Sequence, residues 1–275
     1  MVKKIRLDTL LVEKGLAETR EKAKRTIMAG LVFSDQQRLD KPGQKVEESI
    51  DLTVKGKAIP YVSRGGLKLE KALSCFSLEL KDKIMMDIGS STGGFTDCGL
   101  QNGIRLSYAI DVGYNQLDWR LRNHEQVVVM ERTNFRYVTK EDLPYGLPDI
   151  ATIDVSFISL KLILPVLAEL LKQGGDVAAL IKPQFEAGRD QVGKKGIIRD
   201  ARIHEQVLME ILTFADTLGF EAKGLTYSPI TGGDGNIEFL VHWNYETKSE
   251  KTGKRMDEAW VSGIVADAHD QLKKL

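Results

Sequence analysis

The chain has 275 residues, 42% of them hydrophobic and 28% charged, which is typical of a soluble globular protein with one large domain or with one medium and one small domain. It has no apolar run of about 18 residues, so no transmembrane helix is predicted, and its N-terminus lacks the apolar core of a secretory signal. The net charge is zero, but residues 1–60 carry 13 Lys and Arg against 9 Asp and Glu. This basic head indicates contact with a polyanion, although such an excess is also common on a solvated surface.

The cysteines and histidines give no sign of a metal site. Cys75 and Cys98 lie far apart and lack metal-ligand spacing, and the four histidines are scattered. We therefore expect reduced cysteines in helices or in the core of a cytoplasmic protein, with no bound metal.

The basic head is predicted to contain two short helices followed by a small sheet. Apolar spacing over residues 6–14 predicts a helix that ends at Gly15, and Thr19 can cap a second helix over residues 20–29. The segments "LVFSD" (31–35) and "SIDLTVKG" (49–56) are predicted strands, and "KPGQKV" (41–46) is a predicted turn between them. A unit of this size is marginally stable by itself.

The second predicted helix brings several basic side chains together, as phosphate contacts require. The candidate RNA-binding residues of this array are Arg6, Arg20, Lys22, Lys24 and Arg25. The alternative is an ordinary solvated helix face on which Glu18 and Glu21 pair with these cations.

After a connector at residues 56–66 and a predicted helix at residues 67–76, strand and helix patterns alternate. The predicted strands are Ile84–Ile88, Leu106–Asp111, Val127–Glu131, Ile150–Val155 and Val177–Ile181. The predicted helices are Phe95–Gly103, Leu117–Arg122, Leu160–Lys172 and Ala201–Gly219. This alternation predicts an α/β fold in which a parallel sheet has helices on both faces.

The C-terminal part departs from this alternation. The segments "GFEAKGLTYSPI" (219–230) and "GNIEFLVHW" (235–243) are two predicted strands with no helix between them, which adds an antiparallel strand to the sheet. A polar linker at residues 246–255 precedes an amphipathic helix, Asp257–Leu272, with an apolar face of Trp260, Ile264, Ala268 and Leu272. We expect this helix to pack on the body of the protein; the alternative is contact with RNA or a partner.

The stretch "MDIGSSTGGFTD" (86–97) combines a strand end, a glycine-rich bend and a helix start, which is an arrangement that binds nucleotides. It meets neither the dinucleotide pattern G-x-G-x-x-G nor the triphosphate pattern that ends in Gly-Lys-Ser/Thr, so a phosphate ligand is disfavoured. Glycines still let the backbone approach a ligand closely, and Asp87 could meet an ammonium group.

Two further polar residues follow the next strands. Asp111 lies 22 positions after Gly89, close to where an acid accepts hydrogen bonds from ribose hydroxyls, and Asn134 stands where an adenine contact would come. Asp111 could instead only cap its strand. Ammonium, ribose and adenine without phosphate describe S-adenosylmethionine. The candidate cofactor contacts are Asp87, Gly89, Ser91, Thr92, Gly93, Gly94, Phe95, Asp111 and Asn134.

Several ordered motifs resemble one family across nearly the whole chain. They are "RLDTLLVEKGL", "SRGGLKLEKAL", "DIGSSTGGFTD", "DVGYNQLDWRLR", "ERTNFR", "DVSFISL", "LIKPQFEAG" and "GNIEF". The chain is similar to the TlyA family of ribosomal-RNA cytidine 2′-O-methyltransferases, also called haemolysin A. The resemblance implies a Rossmann-like class I S-adenosylmethionine-dependent methyltransferase with a mostly parallel seven-stranded sheet, plus a small α+β RNA-binding domain related to ribosomal protein S-four.

The implied domains are the RNA-binding domain at residues 1–60, a linker at 61–66, the FtsJ-like methyltransferase domain at 67–246, and a polar linker with a C-terminal helix at 247–275. The implied partner is rRNA of the small subunit, the large subunit or both, and the full N-terminal domain and C-terminal helix favour both. The implied location is the cytoplasm.

The resemblance also implies a catalytic tetrad, Lys68, Asp154, Lys182 and Glu238. Asp154 and Lys182 follow strand-like apolar runs, and a charge that ends a buried strand must face a cleft or be paired. Neutral Lys182 is the candidate base for the ribose hydroxyl, and Lys68 would favour its neutral form while the two carboxylates oppose it. The alternative is that both lysines stay charged and stabilise oxyanion charge.

Two basic features lie outside the tetrad. Arg64, next to the linker, could touch an RNA phosphate. The loop at residues 186–200 is either a lid over the target nucleotide or an ordinary solvent loop.

Three other functions compete with methyl transfer. A pore-forming haemolysin is disfavoured because the chain lacks a signal, a membrane span and alternating barrel strands. A dehydrogenase is disfavoured because the dinucleotide glycines are missing. A ribosome-binding assembly factor with an inactive methyltransferase fold is opposed by the complete tetrad and glycine bend, but it stays open.

Overall fold

The structure is a computed structural model that describes residues 3–28, 30–35, 37–55, 59–188, 191–193, 196–232, 235–246 and 257–272. The chain divides into two compact units, Met1–Gly66 and Leu67–Leu275. The predicted polar linker lies outside the described residues except for Glu246.

The described residues of the first unit form two helices and five very short strands. Its elements are β1 (Lys4–Arg6), α1 (Leu7–Glu13), α2 (Arg20–Met28), β2 (Val32–Ser34), β3 (Gln37–Arg38), β4 (Lys45–Glu47) and β5 (Thr53–Val54). Strand β1 pairs antiparallel with β4, and β2 pairs with both β3 and β5. Buried apolar side chains of α1 and α2, among them Leu7, Leu11 and Ile27, form the core of this unit.

The helices of this unit lie where the sequence predicts them, but its strands differ from the prediction. The predicted turn at residues 41–46 ends inside β4, and the predicted strand at 49–56 is reduced to the two residues of β5. The pairing partners β1 and β3 were not predicted. Strands of two or three residues are too short to show a period of two in the sequence. Gly65 and Gly66, which the sequence placed in the connector, begin α3 (Gly65–Phe76).

The second unit contains a seven-stranded sheet with helices between most of the strands. The strands are β6 (Ile84–Ile88), β7 (Leu106–Ile110), β8 (Val127–Met130), β9 (Ile150–Ile153), β10 (Gly175–Ile181), β11 (Phe220–Tyr227) and β12 (Phe239–Tyr245). The helices are α3, α4 (Gly94–Gln101), α5 (Trp119–Arg122), α6 (Leu164–Leu170), α7 (Pro183–Glu186), α8 (Ala201–Thr217) and α9 (Glu258–Leu272).

The strand order is β11-β12-β10-β9-β6-β7-β8, and the neighbours from β10 to β8 pair in parallel. Strand β12 pairs antiparallel with both β10 and β11, which confirms the predicted antiparallel strand near the C-terminal end. The order changes direction between β6 and β9, where ligands bind in open α/β sheets. Every residue of β6, β7 and β9 is buried, as expected for central strands covered on both faces.

Most predicted elements of this unit agree with the structure to within two residues. The predicted strand at 219–230 extends three residues beyond β11, and α7 was not predicted. Three further differences concern the other elements. The predicted helix Leu160–Lys172 is a short 3₁₀ turn, Leu160–Leu162, followed by α6. Strand β12 begins at Phe239, so residues 235–238 of the predicted strand are irregular. Helix α9 buries Ala268 and Leu272 of the predicted apolar face, as expected, and Ile264 is half-buried against the core. It also buries Val261 and Val265, whereas Trp260 is exposed.

Cys75 is exposed on α3, and Cys98 is buried on α4. Within the described parts of the chain, no helix is long and apolar enough to span a membrane.

Candidate active site

The four residues of the predicted tetrad lie together although they come from four separate parts of the chain. Lys68 is in the first turn of α3, Asp154 follows β9, Lys182 follows β10, and Glu238 precedes β12. The Nζ atom of Lys68 donates to Glu238 Oε2 at 2.8 Å and to Asp154 Oδ2 at 3.1 Å. The Nζ atom of Lys182 lies 2.5 Å from Asp154 Oδ1. Asp154 therefore bridges the two lysines.

Burial and charge act against each other in this cluster. Burial lowers the pKa of Lys68, but the carboxylates of Asp154 and Glu238 outweigh burial and hold that pKa above its ordinary value. Burial raises the pKa of Asp154, but the ammonium groups of Lys68 and Lys182 outweigh it and hold that pKa low. Lys68 is thus a charged group that fixes two carboxylates, and Asp154 is an ionised acceptor.

Two residues that follow Asp154 were not predicted from the sequence. Ser156 Oγ accepts a hydrogen bond of 3.0 Å from Lys182 Nζ, so Lys182 has a second fixed partner. Phe157 is 91% exposed and has a φ of +63°, which is unusual for a bulky residue and is a form of strain that concentrates at functional sites. Its ring centroid lies 4.8 Å from that of Phe185. An aromatic residue three positions after a strand-end acid was the available signal in the sequence.

The glycine bend after β6 packs directly against the backbone of Asp154. Gly89 has a φ of +85°, and a Cβ atom there would lie 2.7 Å from the carbonyl oxygen of Asp154. Asp154 N also donates to the carbonyl oxygen of Ile88 at 3.0 Å. At Gly93, with a φ of +93°, a Cβ atom would lie 2.2 Å from Leu121. These glycines bring the predicted cofactor bend and the tetrad together.

Asp87 lies below this bend and is buried. Its carboxylate accepts hydrogen bonds from Thr96 N at 3.0 Å, from Thr96 Oγ1 at 2.7 Å and from Thr152 Oγ1 at 3.2 Å. Burial raises the pKa of Asp87 to about 7, although these hydrogen bonds oppose it. Asp87 therefore ties the start of α4 to β9, and its contact with an ammonium group stays a prediction.

Asp111, at the end of β7, holds two backbone segments of the proposed cofactor site. Its Oδ2 accepts from Ser91 N and its Oδ1 accepts from Gly113 N, both at 2.7 Å. The side chain is half-buried. Exposed Asn134 accepts a hydrogen bond from Arg136 N and begins a 3₁₀ turn. Thr92, Gly94 and Phe95 continue the bend into α4, where Gly94 and Phe95 are buried.

Glu131 was not predicted, but it orders the loop that follows Asp111. It accepts hydrogen bonds from the backbone N–H groups of residues 115, 116 and 117 and from Arg122 Nη2. The Arg122 guanidinium, aided by these backbone groups, lowers the pKa of Glu131 to about 2. An acid directly after a third parallel strand was the signal for this residue.

This donor set fits S-adenosylmethionine better than a phosphorylated nucleotide. The bend at residues 86–97 contains no Lys or Arg, and the half-buried carboxylate of Asp111 lies at its edge. Within the described residues, no cluster of His, Cys, Asp and Glu has the composition of a metal site.

Four of the six candidate RNA-binding residues form ion pairs within the first unit. Arg6 and Arg20 both bond to buried Asp8. Lys22 pairs with Glu18 and Lys24 pairs with Glu21, as the alternative for this helix face anticipated. Arg25 and Arg64 are half-buried. RNA binding by these residues stays a prediction.

Comparison with known families decides the class of this site. The FtsJ-like methyltransferase family matches residues 61–245. The chain belongs to the FtsJ-like methyltransferase family. An S4 domain matches residues 5–49, so the FtsJ-like domain follows an S4 domain.

Relatives of this FtsJ-like chain include two curated proteins that it matches over nearly their full lengths. It is 62% identical to "Putative rRNA methyltransferase YqxC" of Bacillus subtilis, over 99% of this chain and 96% of that protein. It is 38% identical to "16S/23S rRNA (cytidine-2'-O)-methyltransferase TlyA" of Mycobacterium tuberculosis, over 94% of this chain and 97% of that protein. A solved structure, "Putative hemolysin from Streptococcus thermophilus", has a TM-score of 0.79 and 52% identity and covers 100% of this chain and 98% of its own.

These findings confirm the resemblance to the TlyA family and the predicted fold class. The FtsJ-like domain identifies the chain as an enzyme that uses S-adenosylmethionine as methyl donor.

Proposed function

We propose that this FtsJ-like enzyme transfers a methyl group from S-adenosylmethionine to the ribose 2′-hydroxyl of cytidine in ribosomal RNA. The observation that carries the proposal is the convergence of Lys68, Asp154, Lys182 and Glu238 on one buried cluster against the glycine bend. The names of two relatives give rRNA methylation, and one of them specifies cytidine-2′-O and both subunit rRNAs. Because the chain matches that relative over 94% of its length, we propose rRNA of both subunits as substrate.

The cofactor would be held by the bend at residues 89–95, by Asp111 at the ribose and by Asn134 at the adenine. Asp111 supports this role because its carboxylate is half-buried at the end of β7 and is fixed by Ser91 N and Gly113 N. S-adenosylmethionine supplies a methyl group that is already activated on a sulfonium.

The tetrad would position the ribose hydroxyl and receive its proton. Lys182 is the proposed base, and the bonds from its Nζ to Asp154 and Ser156 fix the position of the nitrogen. With Lys182 in its neutral form, the hydroxyl proton would move to Lys182 Nζ while the bond from the methyl carbon to sulfur breaks and the new O–C bond forms. Lys68 stays charged and holds the carboxylates of Asp154 and Glu238 in place. Positioning of this kind can supply several kcal/mol of the barrier.

The rim of the site supports an unstacked nucleotide as substrate. Phe157 and Phe185 form an aromatic pair, and Lys182 Nζ lies 5.9 Å from the centre of the Phe185 ring. Phe157 is the exposed ring of the pair, and exposed aromatic rings stack on bases that have left a helix. A cytidine in folded rRNA would be splayed out to reach Lys182. The lid at residues 186–200 stays a prediction, because four of its residues lie outside the described chain.

We propose that residues 1–60 supply RNA contacts, through Arg6, Arg20, Lys22, Lys24 and Arg25, and that Arg64 adds a phosphate contact beside the linker. Residues 67–246 would carry the chemistry. Since the proposed substrate is ribosomal RNA, we propose the cytoplasm as the location.

The proposal is tested by methyl transfer from labelled S-adenosylmethionine to separately purified small and large ribosomal subunits. Wild type is compared with Lys182→Ala and with Lys161→Ala, a control at an exposed lysine paired with Glu210. Digested rRNA is analysed for 2′-O-methylcytidine by mass spectrometry. We expect this nucleoside with wild type and Lys161→Ala and its loss with Lys182→Ala. Cofactor binding without transfer to either subunit would overturn the proposed substrate and favour the inactive assembly factor.

A further inference from the structure

A buried carboxylate in the first unit holds two exposed arginines. Asp8, in α1, has no solvent-exposed surface. Arg6 Nε and Nη2 donate to its two oxygens at 3.0 and 2.9 Å, and Arg20 Nε donates to Oδ2 at 3.0 Å. The side chains of Arg6 and Arg20 remain 45% and 53% exposed. One acid therefore fixes one edge of each guanidinium group, while both arginine side chains remain partly exposed to solvent.

The backbone fixes Arg6 from a second direction. A Cβ atom at Gly43 would lie 3.3 Å from Arg6 Nη1, so the backbone there approaches the guanidinium closely. Asp8 N also donates to the carbonyl oxygen of Pro42 at 3.1 Å. A cleft of about 670 Å³ on this unit is lined by residues 37–41, Gly43 and Gln44.

This arrangement differs from the other ion pairs of the unit. Lys3–Glu48 and Lys24–Glu21 join partners that are both substantially exposed, so their geometry is weakly held. The Arg6 and Arg20 guanidinium groups lower the pKa of Asp8 to about 2, so its carboxylate stays ionised at neutral pH. A guanidinium held on one edge keeps further N–H donors for a second acceptor, such as a phosphate oxygen.

We propose that Asp8 is a positioning residue for RNA, because it holds Arg6 and Arg20 in fixed orientations in which both can donate to phosphates of the same RNA. This inference rests on the proposed function, since it assumes that the first unit binds rRNA. The benefit is preorganisation: two flexible side chains are ordered before the RNA arrives, so less conformational entropy is lost on binding.

The proposal and the net charge predict opposite effects of Asp8→Asn on RNA affinity. Asp8→Asn removes one negative charge from a unit that binds a polyanion, so charge alone would strengthen RNA binding. Loss of positioning instead weakens it, on the order of tenfold, as when one charged hydrogen bond is lost. Glu48→Gln is the matched control because it removes the same charge from an exposed pair and should leave binding equal or slightly tighter.

The experiment measures the dissociation constant of the full-length protein for purified large ribosomal subunits, together with the affinity for S-adenosylmethionine. Four variants are compared with wild type: the single variants Asp8→Asn and Glu48→Gln, the double variant Arg6→Ala/Arg20→Ala, and the triple variant that adds Asp8→Asn to this double variant. The arginine Nε–H signals in nitrogen-15 NMR spectra report whether Arg6 and Arg20 lose their fixed partner while the unit stays folded.

We expect Asp8→Asn to weaken subunit binding, to leave cofactor affinity unchanged, and to have no further effect once both arginines are absent. Tighter binding by Asp8→Asn, as with Glu48→Gln, would overturn the proposal. The proposal would also be overturned if Asp8→Asn weakened subunit binding equally when both arginines are already replaced, because Asp8 would then act through the fold. If wild type binds no subunit and transfers no methyl group, the proposed function itself fails.

Discussion

At the residue scale, Lys68 and Lys182 share Asp154 but have different partners beyond it. Lys68 lies between two carboxylates, whereas Lys182 has one carboxylate and the neutral hydroxyl of Ser156. Two carboxylates stabilise an ammonium group more than one does. The surroundings therefore favour a fixed charge at Lys68 and leave proton exchange to Lys182.

We predict that Lys182→Arg abolishes methyl transfer although it keeps the positive charge. A guanidinium does not lose its proton in proteins, so it cannot accept one from the ribose hydroxyl. Removing a general base costs at least about a hundredfold in kcat. The measurement is kcat for rRNA methylation by wild type and Lys182→Arg at the same pH and at saturating S-adenosylmethionine.

Lys161→Arg is the control for this substitution and should behave as wild type. If Lys182→Arg keeps more than a tenth of the wild-type kcat, Lys182 acts through its charge, and the alternative in which both lysines stabilise oxyanion charge is correct.

The sequence indicates these residues to different degrees. Asp154 and Lys182 follow apolar strand runs, so their place at the sheet edge could be predicted from the order of residues alone. Lys68 and Glu238 are recognisable by family motif alone, because a helix start and a loop residue carry no such signal. Ser156 and Glu131 were missed because their roles depend on side-chain contacts, with Lys182 and with the backbone of residues 115–117.

At the element scale, the bend after β6 depends on how closely two strand ends approach. Gly89→Ala would place a Cβ atom 2.7 Å from the Asp154 carbonyl oxygen at a φ of +85°. Gly146 has a similar φ of +96°, but a Cβ atom there would meet nothing within 4 Å. A comparison of alanine substitutions at the two glycines therefore separates the effect of backbone strain from that of steric contact.

We predict that Gly146→Ala lowers the free energy of unfolding by about 1 kcal/mol through strain alone. Gly89→Ala should lower it further and also weaken binding of S-adenosylmethionine, since Asp154 and the bend must move apart. Urea unfolding and calorimetric titration with the cofactor measure the two effects. Equal behaviour of the two variants would show that Gly89 serves only the backbone conformation.

Helix α9 is joined to α8 by a buried histidine pair. His204 Nδ1 lies 3.0 Å from His269 Nε2, and the His204 ring meets Phe239 edge-on. Burial, aided by the charge of His269, lowers the pKa of His204 to about 4. The unfolded chain therefore binds a proton at His204 near pH 6.5 that the folded chain does not bind until about pH 4.

We predict that stability from this histidine falls as the pH drops from 7 to 5. Over that interval the wild type should lose about 2 kcal/mol of unfolding free energy relative to His204→Asn. Comparing wild type with His204→Asn cancels the contributions of other groups to the pH dependence of stability. One of these groups is Asp87, whose raised pKa makes the folded state more stable as the pH falls. His124→Asn is the control, and a parallel pH dependence of wild type and His204→Asn would contradict the prediction.

The predictability of the elements follows their length and burial. The strands of the second unit are four to eight residues long, and β6 to β10 consist mainly of apolar residues, so they were recognised. Strands β1, β3, β4 and β5 have two or three residues and depend on their partners. The face of α9 was predicted in part, since Ala268 and Leu272 are buried as expected. Val261 is buried in place of Trp260 because both are apolar and only packing on α8 selects between them.

At the scale of the whole molecule, the net charge is zero because a basic N-terminal part balances an acidic remainder. Residues 1–60 have 13 basic and 9 acidic residues, and the remaining chain has 26 basic and 30 acidic residues. RNA affinity that depends on phosphate contacts falls steeply with salt, whereas cofactor binding without a phosphate contact does not. If the first unit binds RNA and the second binds the cofactor, added salt should therefore weaken RNA binding much more than cofactor binding.

We predict that raising the salt concentration weakens binding to ribosomal subunits and leaves the affinity for S-adenosylmethionine nearly unchanged. Two charge reversals locate the contact. Lys22→Glu, in α2, and Lys223→Glu, in β11, each replace an exposed lysine that pairs with a neighbouring glutamate, and they change the net charge equally.

If the first unit supplies the phosphate contacts, Lys22→Glu weakens subunit binding and lowers the slope of log affinity against log salt by about one, while Lys223→Glu changes neither. Equal effects of both reversals would mean that overall charge, and not the first unit, attracts the RNA. A larger effect of Lys223→Glu would move the RNA contact to the methyltransferase unit, which carries the net negative charge. The asymmetry of charge along the chain favours the first result.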